Sequence, residues 1–459
     1  MTNKVFLFVP LFLFFVSTTW SQTPAGADAQ RQFLESWSKP TVRPDRIILN
    51  VTEDLSTSVN VTWRTSIEVN EGILELAQAT ADPMFIKKSI QIEAKTEILD
   101  LRDVRVAGIR ANYHSVTIEK LKPGVTYAYR VGDGTLWSEW FQFTTATEDP
   151  DEEFSFLYVG DAQNYILELW SRVVREGFRK APDAKFFIHA GDLVNHAHRE
   201  QEWHEWFMAG GFIHSMIPAM PTPGNHEYKP RMENTGNEEP SILSLQWNPQ
   251  FTLPQNGPKG LEETVYYIDY KDTRIISLNS NDYHKVQANW VEKVLKENTK
   301  KWVIITYHHP MFSAAIGRDN DRLRKMWKPI FDKYAVDLVL QGHDHSYARG
   351  RVAPENNELD GLNMRDETGT VYVVSISGGK MYEIGGDWTE LGAIKDRTAE
   401  NTQLFQVITI QGDKLVFESF TPVGELYDAF ELMKNGDGPN KFVERKGEAI
   451  PERVFSTNK

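Results

Sequence analysis

The stretch "KFFIHAGDLVNH", residues 185–196, carries an apolar run into Gly191, Asp192, Asn195 and His196. A run this short and this apolar reads as a strand covered on both faces, and it ends on an acid and two nitrogen-bearing side chains. From Phe154 onward the same order repeats. "FSFLYVGD" precedes "YILELWSRVVREGF", "KFFIHAGD" precedes "EQEWHEWFMAGGF", "KWVIITYHH" precedes "RLRKMWKPIFDKY", and "VDLVLQGHDH" follows. Strands alternating with helices predict an α/β domain built on parallel strands, and "LFQVITIQGDKLVFESF" (404–420) predicts a hairpin about Gly412-Asp413. Ligands of open α/β sheets gather beyond the carboxyl ends of the strands, where Asp161, Asp192, Asn225, His308 and His343 all fall.

Upstream, from Asp45 to Thr145, the chain reads as short alternating strands: "RIILNVT", "SVNVTWRTS", "GILELAQ", "HSVTIEKL", "TYAYRVG" and "WSEWFQFTT". Turn signals at Pro123-Gly124 and Gly132-Asp133-Gly134 separate them, the pattern of an antiparallel sandwich. The acidic "ATEDPDEE" (146–153) reads as a linker and a protease-sensitive boundary, so that a fragment starting near Glu152 carries every candidate ligand. At the N-terminus, Lys4, "VFLFVPLFLFFV" and "STTWSQ" follow the charged, apolar, small-polar order of a secretory signal peptide over 1–21. Its apolar run is too short for a comfortable span of about 20 residues, an uncleaved anchor being the alternative, and no later stretch reads as a span, so no stable membrane span is expected after cleavage. The expected location is secreted, periplasmic or at the cell surface.

The 459 residues are 41% hydrophobic and 12% aromatic, enough for more than one cored domain. With no cysteine, disulfides and thiolate metal sites are excluded, and any metal ligands must be N or O. A formal charge of −14 leaves no basic footprint for nucleic acid or an anionic membrane, so small anionic substrates would need local positive charge, which a metal supplies.

Five motifs sit at the predicted strand ends: "GDAQ" (160–163), "GDLVN" (191–195), "GNHE" (224–227), "YHHP" (307–310) and "GHDH" (342–345). Each alone is weak; in this order and setting they form a pattern. Two divalent cations about 3.5 to 4 Å apart need a bridging anion, which a carboxylate such as Asp192 provides, while imidazoles and carbonyl oxygens fill the other positions.

These motifs resemble those of the calcineurin-like metallophosphoesterases, and "GHDHSYAR" with "VTWRTS", "LKPGVTYAYRVGDG" and "WSEWFQFTT" resembles the purple acid phosphatase branch, in which a fibronectin-III-like domain precedes the catalytic one. The likeness spans roughly residues 40 to 430. It implies an α/β/β/α sandwich at 152–433, preceded by an all-β sandwich at 40–147. It further implies a small phosphorylated substrate and two divalent metal ions, zinc, manganese or iron. Asp161 would bind the first metal and Asp192 both; Asn225, His308 and His343 would hold the second, and His345 would return to the first. His343 and His345, two apart in what reads as an extended segment, would point the same way, each toward one ion. Hydroxide made available near neutral pH by the metals would attack phosphorus in line with the leaving oxygen, and His226, partnered by Glu227, would protonate that oxygen or hold the phosphoryl group.

The chain departs from the branch at two positions. Asn195 stands where the purple enzymes have the tyrosine that binds ferric iron, and Gln163 stands where the wider superfamily often has histidine. Either amide could bind the first metal or hydrogen-bond to its ligands. The departure implies divalent ions, no purple colour and work near neutral pH.

Beyond the motifs, His196 and His309 are candidates for substrate contact, while His198 and His204 read as surface histidines and His189 as a core one. Arg349 reads as a structural ion pair, and "SGGKMYEIGG" (377–386) as a loop that could border the site. The expected activity is hydrolysis of phosphate monoesters. A phosphodiesterase or pyrophosphatase on the same scaffold is one alternative; a surface binding protein with a degenerate metal site is the other.

Overall fold

The computed structural model describes residues 24–104, 108–229, 242–354 and 366–455. The expected signal segment lies outside them. Residues 1–39 form a small unit of their own containing one described helix, Pro24–Trp37, and residues 40–459 form the other. No described helix is long and apolar enough to cross a membrane.

The second unit opens with two facing antiparallel sheets. One runs Asp45–Asn50, Val59–Thr65, Arg110–Ile118, Lys95–Asp100; the other runs Ile90–Glu93, Ile73–Gln78, Thr126–Gly132, Phe141–Thr144. Their inward residues, including Leu49, Val61, Trp63, Leu74, Val116, Tyr129 and Phe143, make a separate core. The strands at Ile90–Glu93 and Lys95–Asp100 escaped the sequence reading because their side chains are mostly exposed, so no apolar alternation marks them.

Next come two larger sheets packed face to face. Phe154–Val159, Phe187–His189 and Ala219–Pro221 run parallel, and Phe405–Gln411 and Lys414–Phe420 extend that sheet as an antiparallel hairpin whose turn is Gly412-Asp413. The second sheet takes the order Tyr266–Tyr270, Thr273–Ser277, Trp302–Thr306, Leu338–Gln341, Val371–Val374, Tyr347–Arg351, Ile394–Ala399. Its central strands Trp302–Thr306, Leu338–Gln341 and Val371–Val374 are mostly apolar, yet each divides its side chains by face. Ile304, Leu338, Leu340, Val371 and Val373 enter the core with Phe156 and Ile408 of the first sheet. Val303, Ile305, Val339, Tyr372 and Val374 pack with Val291, Trp327 and Phe331 of the covering helices His284–Lys296 and Asp321–Lys333. Ser171–Lys180 and Glu200–Gly210 contribute Val173, Trp203 and Trp206 to the first core. The result is the α/β/β/α order with an all-β sandwich ahead of it.

Main-chain pairing joins the two parts. Asn50 pairs in parallel with Ala219, so the Asp45–Asn50 strand of the sandwich continues the first catalytic sheet. Around the seam the Leu49 N–H donates to the His214 carbonyl at 2.8 Å, the Tyr129 hydroxyl donates to the Ser215 carbonyl at 2.8 Å, and Arg46 and Arg64 both ion-pair with Glu200. The acidic stretch read as a loose linker is fastened as well: Lys271 Nζ donates to the Asp149 carbonyl at 2.8 Å and to Glu152 Oε2 at 2.7 Å. Edge-strand pairing of this kind carries no side-chain signature, which is why the sequence shows a boundary where the structure shows a seam.

Candidate metal centre

Five loops leaving strand ends meet above the two sheets. Asp161 and Asp192 follow Phe154–Val159 and Phe187–His189, Asn225 follows Ala219–Pro221, His308 follows Trp302–Thr306, and His343 and His345 follow Leu338–Gln341. Four of these residues hold a left-handed backbone: Asp161 at φ 52°, Asp192 at 53°, His343 at 76° and His345 at 50°. Non-glycine residues adopt it at a cost of about 1–3 kcal/mol each, and such strain collects at functional sites. It also corrects the sequence reading of 343–345. The segment is a tight turn, with the Asp344 N–H donating to the Gly342 carbonyl at 3.0 Å, so the two histidines reach different places through turn geometry rather than strand alternation.

The turn at Gly224 requires glycine for space, since a Cβ there would overlap the Asp192 carboxylate. Glu227, buried, accepts from the N–H groups of Asp192 at 2.9 Å, Leu193 at 2.9 Å, Val194 at 3.3 Å and Gly224 at 2.7 Å. It is therefore the staple of the Asp192 loop, not the partner of His226 that its adjacency suggested. Burial, then the Asp192 charge, pushes its carboxyl up to about 7. His226 takes its partner from elsewhere: Nδ1 faces the Asn195 carbonyl at 2.7 Å, leaving Nε2 3.9 Å from Asp192 Oδ2, while its N–H donates to Asp192 Oδ1 at 2.8 Å.

Donor atoms gather in two groups, Asp192 with His308 and His343, and Asp161 with Asp192 and His345, each within 4.8 Å. Asp192 belongs to both. Asn225 joins the first, its Oδ1 3.2 Å from His308 Nε2, which in turn is 3.2 Å from His343 Nδ1. His308 gives its Nδ1 to the Ala190 carbonyl at 2.8 Å and His345 gives Nδ1 to the Lys380 carbonyl at 3.1 Å, which leaves each Nε2 free to act as a donor atom toward the site.

The electrostatics call for cations. Burial pushes the Asp161 carboxyl well above the usual carboxylate range. Burial would raise Asp192 too, but the His308 imidazole at 3.1 Å and then His226 hold it below its ordinary value. His308 itself, which burial alone would lower, is raised to about 9 by the Asp192 carboxylate beside it. Burial drives His345 down to about 3 and lowers His343, so both imidazoles are neutral donors. Gln163 donates from Nε2 to Asp192 Oδ2 at 2.8 Å with Nε2 3.2 Å from His345 Nε2, and its buried Oε1 has no partner among the described residues. Turned about its last bond, the same amide presents that oxygen to the Asp161–Asp192–His345 group. Two carboxylates, three imidazoles and two amides with no sulfur fit divalent zinc, manganese or iron.

Asn195 turns away from the donors. Its amide lies 2.9 Å from His196 Nδ1, which is also 2.6 Å from Glu202 Oε1. His196 is thus anchored to the Glu200–Gly210 helix, and Asn195 offers the site its carbonyl rather than its amide. His309, pushed down to about 3 by burial and then His308, bonds Ser280 Oγ at 2.8 Å and packs 4.3 Å from His343. It opens with Asn225 on a cavity of about 710 Å³. His198 and His204 are buried, correcting their surface reading: helix Glu200–Gly210 turns its apolar face, His204 included, into the core. His189 is buried, 5.3 Å from the Trp206 ring, and Arg349 is buried among Asp396, Asp428 and Glu444. The 377–386 loop does border the donors, through the Lys380 carbonyl and the Tyr382 ring 4.9 Å from His345.

Two family models match the chain, "Purple acid Phosphatase, N-terminal domain" over residues 44–145 and "Calcineurin-like phosphoesterase" over residues 154–347. The chain belongs to the calcineurin-like phosphoesterases, on the purple acid phosphatase branch. It is a metal-dependent phosphatase by family, with a site for two metal ions. Acid phosphatase type 7 of Danio rerio is 26% identical over 367 residues, covering 71% of this chain and 79% of its own. The Homo sapiens protein of the same name is 24% identical over 343 residues, covering 68% and 72%. Fe(3+)-Zn(2+) purple acid phosphatase 12 of Arabidopsis thaliana is 27% identical over 290 residues, covering 58% of this chain and 59% of its own. Among solved structures, purple acid phosphatase PPD1 from yellow lupin (Lupinus luteus) seeds superposes with a TM-score of 0.68 at 19% identity, over 90% of this chain and 78% of that one. PhoD gives 0.59 at 12% identity, over 91% and 93%. Both likenesses concern the fold of this phosphoesterase.

Proposed function

We propose that this phosphoesterase is a secreted enzyme that hydrolyses phosphate monoesters, with Asp161, Asp192, Asn225, His308, His343 and His345 as the ligands of two divalent ions. The observation that carries the reading is the double membership of Asp192: one carboxylate shared by both donor groups, with the His226 imidazole 3.9 Å from it. Ions held there would supply charge to neutralise the phosphoryl group and would lower the pKa of water toward neutral pH. In hydrolysis a bond forms between water oxygen and phosphorus, and the bond from phosphorus to the alcohol oxygen breaks. His226, its Nδ1 proton held by the Asn195 carbonyl and its Nε2 3.9 Å from Asp192 Oδ2, acts as an imidazolium that gives its Nε2 proton to the departing oxygen and regains one from water. Gln163 steadies the Asp161–Asp192–His345 group, as a ligand or through its bond to Asp192. The apolar N-terminal segment at 5–16 supports secretion.

The test is metal content beside hydrolysis of phenyl phosphate and of a bis-aryl phosphate. About two metals per chain, monoester hydrolysis lost to chelator and restored by metal, and slower diester cleavage are expected. Bound metals with faster diester cleavage would make the enzyme a diesterase, and one metal or none with no hydrolysis under any added cation would make it a binding protein.

A further inference from the structure

The loop from Ser313 to Asn320 carries none of the five motifs, yet it is built onto the donor segment. Asp344, between His343 and His345, accepts from the Ala314 N–H at 2.6 Å, the Ala315 N–H at 3.3 Å and the Ser313 hydroxyl at 3.3 Å. From the other side the Gly385 N–H donates to the Ala314 carbonyl at 2.6 Å. The loop is therefore fixed at both flanks.

On it, Arg318 is held by three contacts. Nη1 donates to the His343 carbonyl at 2.6 Å, the same nitrogen lies 3.7 Å from Asp344 Oδ1, and the guanidinium carbon stands 4.9 Å from the centre of the Tyr382 ring, which packs 4.9 Å from His345. These contacts engage Nη1 and the face of the group. Its Nε and Nη2 make no hydrogen bond among the described residues, and the side chain is 28% exposed. The next two residues, Asp319 and Asn320, line the cavity on which Asn225 and His309 open.

A guanidinium held through Nη1 to the carbonyl of His343, with its Nε/Nη2 edge uncommitted beside the donor segment, matches the planar pair of oxygens on a phosphoryl group. A monoester offers three non-bridging oxygens and a diester two, so a clamp set beside a metal pair favours the substrate with an oxygen to spare. We propose that Arg318 binds the scissile phosphoryl group through its Nε/Nη2 edge and selects dianionic monoesters over diesters. This rests on the phosphatase reading above.

The experiment uses the full-length, metal-loaded protein and its Arg318→Gln and Arg318→Lys variants, with phenyl phosphate, a bis-aryl phosphate and inorganic phosphate as probes. Both variants should keep about two metals per chain. Arg318→Gln should lower kcat/KM for phenyl phosphate about 10- to 100-fold and weaken binding of inorganic phosphate at least about tenfold, while diester turnover falls less than about twofold. Arg318→Lys should lie between, since an ammonium keeps the charge and loses the fork. Tyr382→Leu, which leaves the loop's hydrogen bonds in place, should weaken phosphate binding about two- to fivefold. Unchanged phosphate affinity, equal losses on both esters, or loss of metal would overturn the assignment and leave Arg318 as a prop for His343. If the wild-type protein holds two metals and cleaves neither ester, the phosphatase reading fails; phosphate binding by calorimetry then still decides the role of Arg318.

Discussion

The carbonyl oxygen of Asn195 accepts a hydrogen bond from Nδ1 of His226 at 2.7 Å. The loop that supplies this carbonyl is clamped by Glu202, whose Oε2 accepts from the N–H of Asn195 at 2.8 Å and of His196 at 2.7 Å. Two residues away on the same helix, Glu200 takes the sandwich arginines.

His226→Ala should keep about two metals and lose about 10²- to 10⁴-fold in kcat. Glu202→Gln should lose about tenfold with little change in KM, because it loosens the carbonyl that orients His226. The double variant should fall hardly below His226→Ala alone. Steady-state kinetics on aryl phosphates of graded leaving-group pKa checks this: additive losses would mean that Glu202 acts by another route.

Asp192→Asn removes the one carboxylate common to both donor groups and weakens its bond to the His226 N–H. Metal content should fall below about one per chain and activity should be lost with it. Elemental analysis showing two retained metals would sink the shared-ligand role.

The protein as isolated should be colourless. A purple centre needs a phenolate on ferric iron. Asn195, which the resemblance would set at the family's tyrosine position, has its side chain on His196, and Tyr165, four residues after Asp161, is 65% exposed to solvent. A strong visible absorption band with one iron per chain would refute this, and Tyr165→Phe would then show whether that residue is its source.

Acid should destabilise the fold. Burial pushes His114 and His214 down to about 4 and drops His189 well below its usual range. Each is neutral when folded, whereas the unfolded chain takes up protons below the ordinary value of 6.5. Their stabilisation is therefore present above that value and is lost as pH falls from 6.5 toward about 4. His214→Phe keeps the stack on Trp206, 4.1 Å away, and should flatten the fall of Tm with acid. A Tm profile parallel to wild type would contradict the assignment.

A fragment beginning at Glu152 should aggregate. It exposes the edge at Ala219 that Asn50 pairs, and it strips Arg46 and Arg64 from the buried Glu200, a loss worth about 3–5 kcal/mol. Size-exclusion chromatography of a monomeric, metal-bound, fully active fragment would show the sandwich to be dispensable.

Much of this protein is written in local pattern. Short apolar runs ending in Gly-Asp, Gly-Asn or His-His announce covered strands with polar groups at their carboxyl ends, because burial on both faces and ligation at the tip each leave a residue-type mark within a few positions. The sandwich strands declared themselves by alternation wherever one face was buried, and the Lys95–Asp100 strand was missed where neither face was well covered. What stayed hidden depends on backbone and distance. The left-handed turns at Asp161, Asp192, His343 and His345 are unremarkable as letters, since strain there is sustained by surrounding packing. Glu227 as a staple, Arg318 pinned behind His343 and the seam between Asn50 and Ala219 all join residues that are far apart in the chain or divided by a turn. Periodicity and residue chemistry dictate which elements form and which side chains crowd the strand ends. Which of those side chains face one another follows from the packing of the two sheets, because hydrogen bonds and sheet edges are satisfied across space by whichever groups that packing brings within reach.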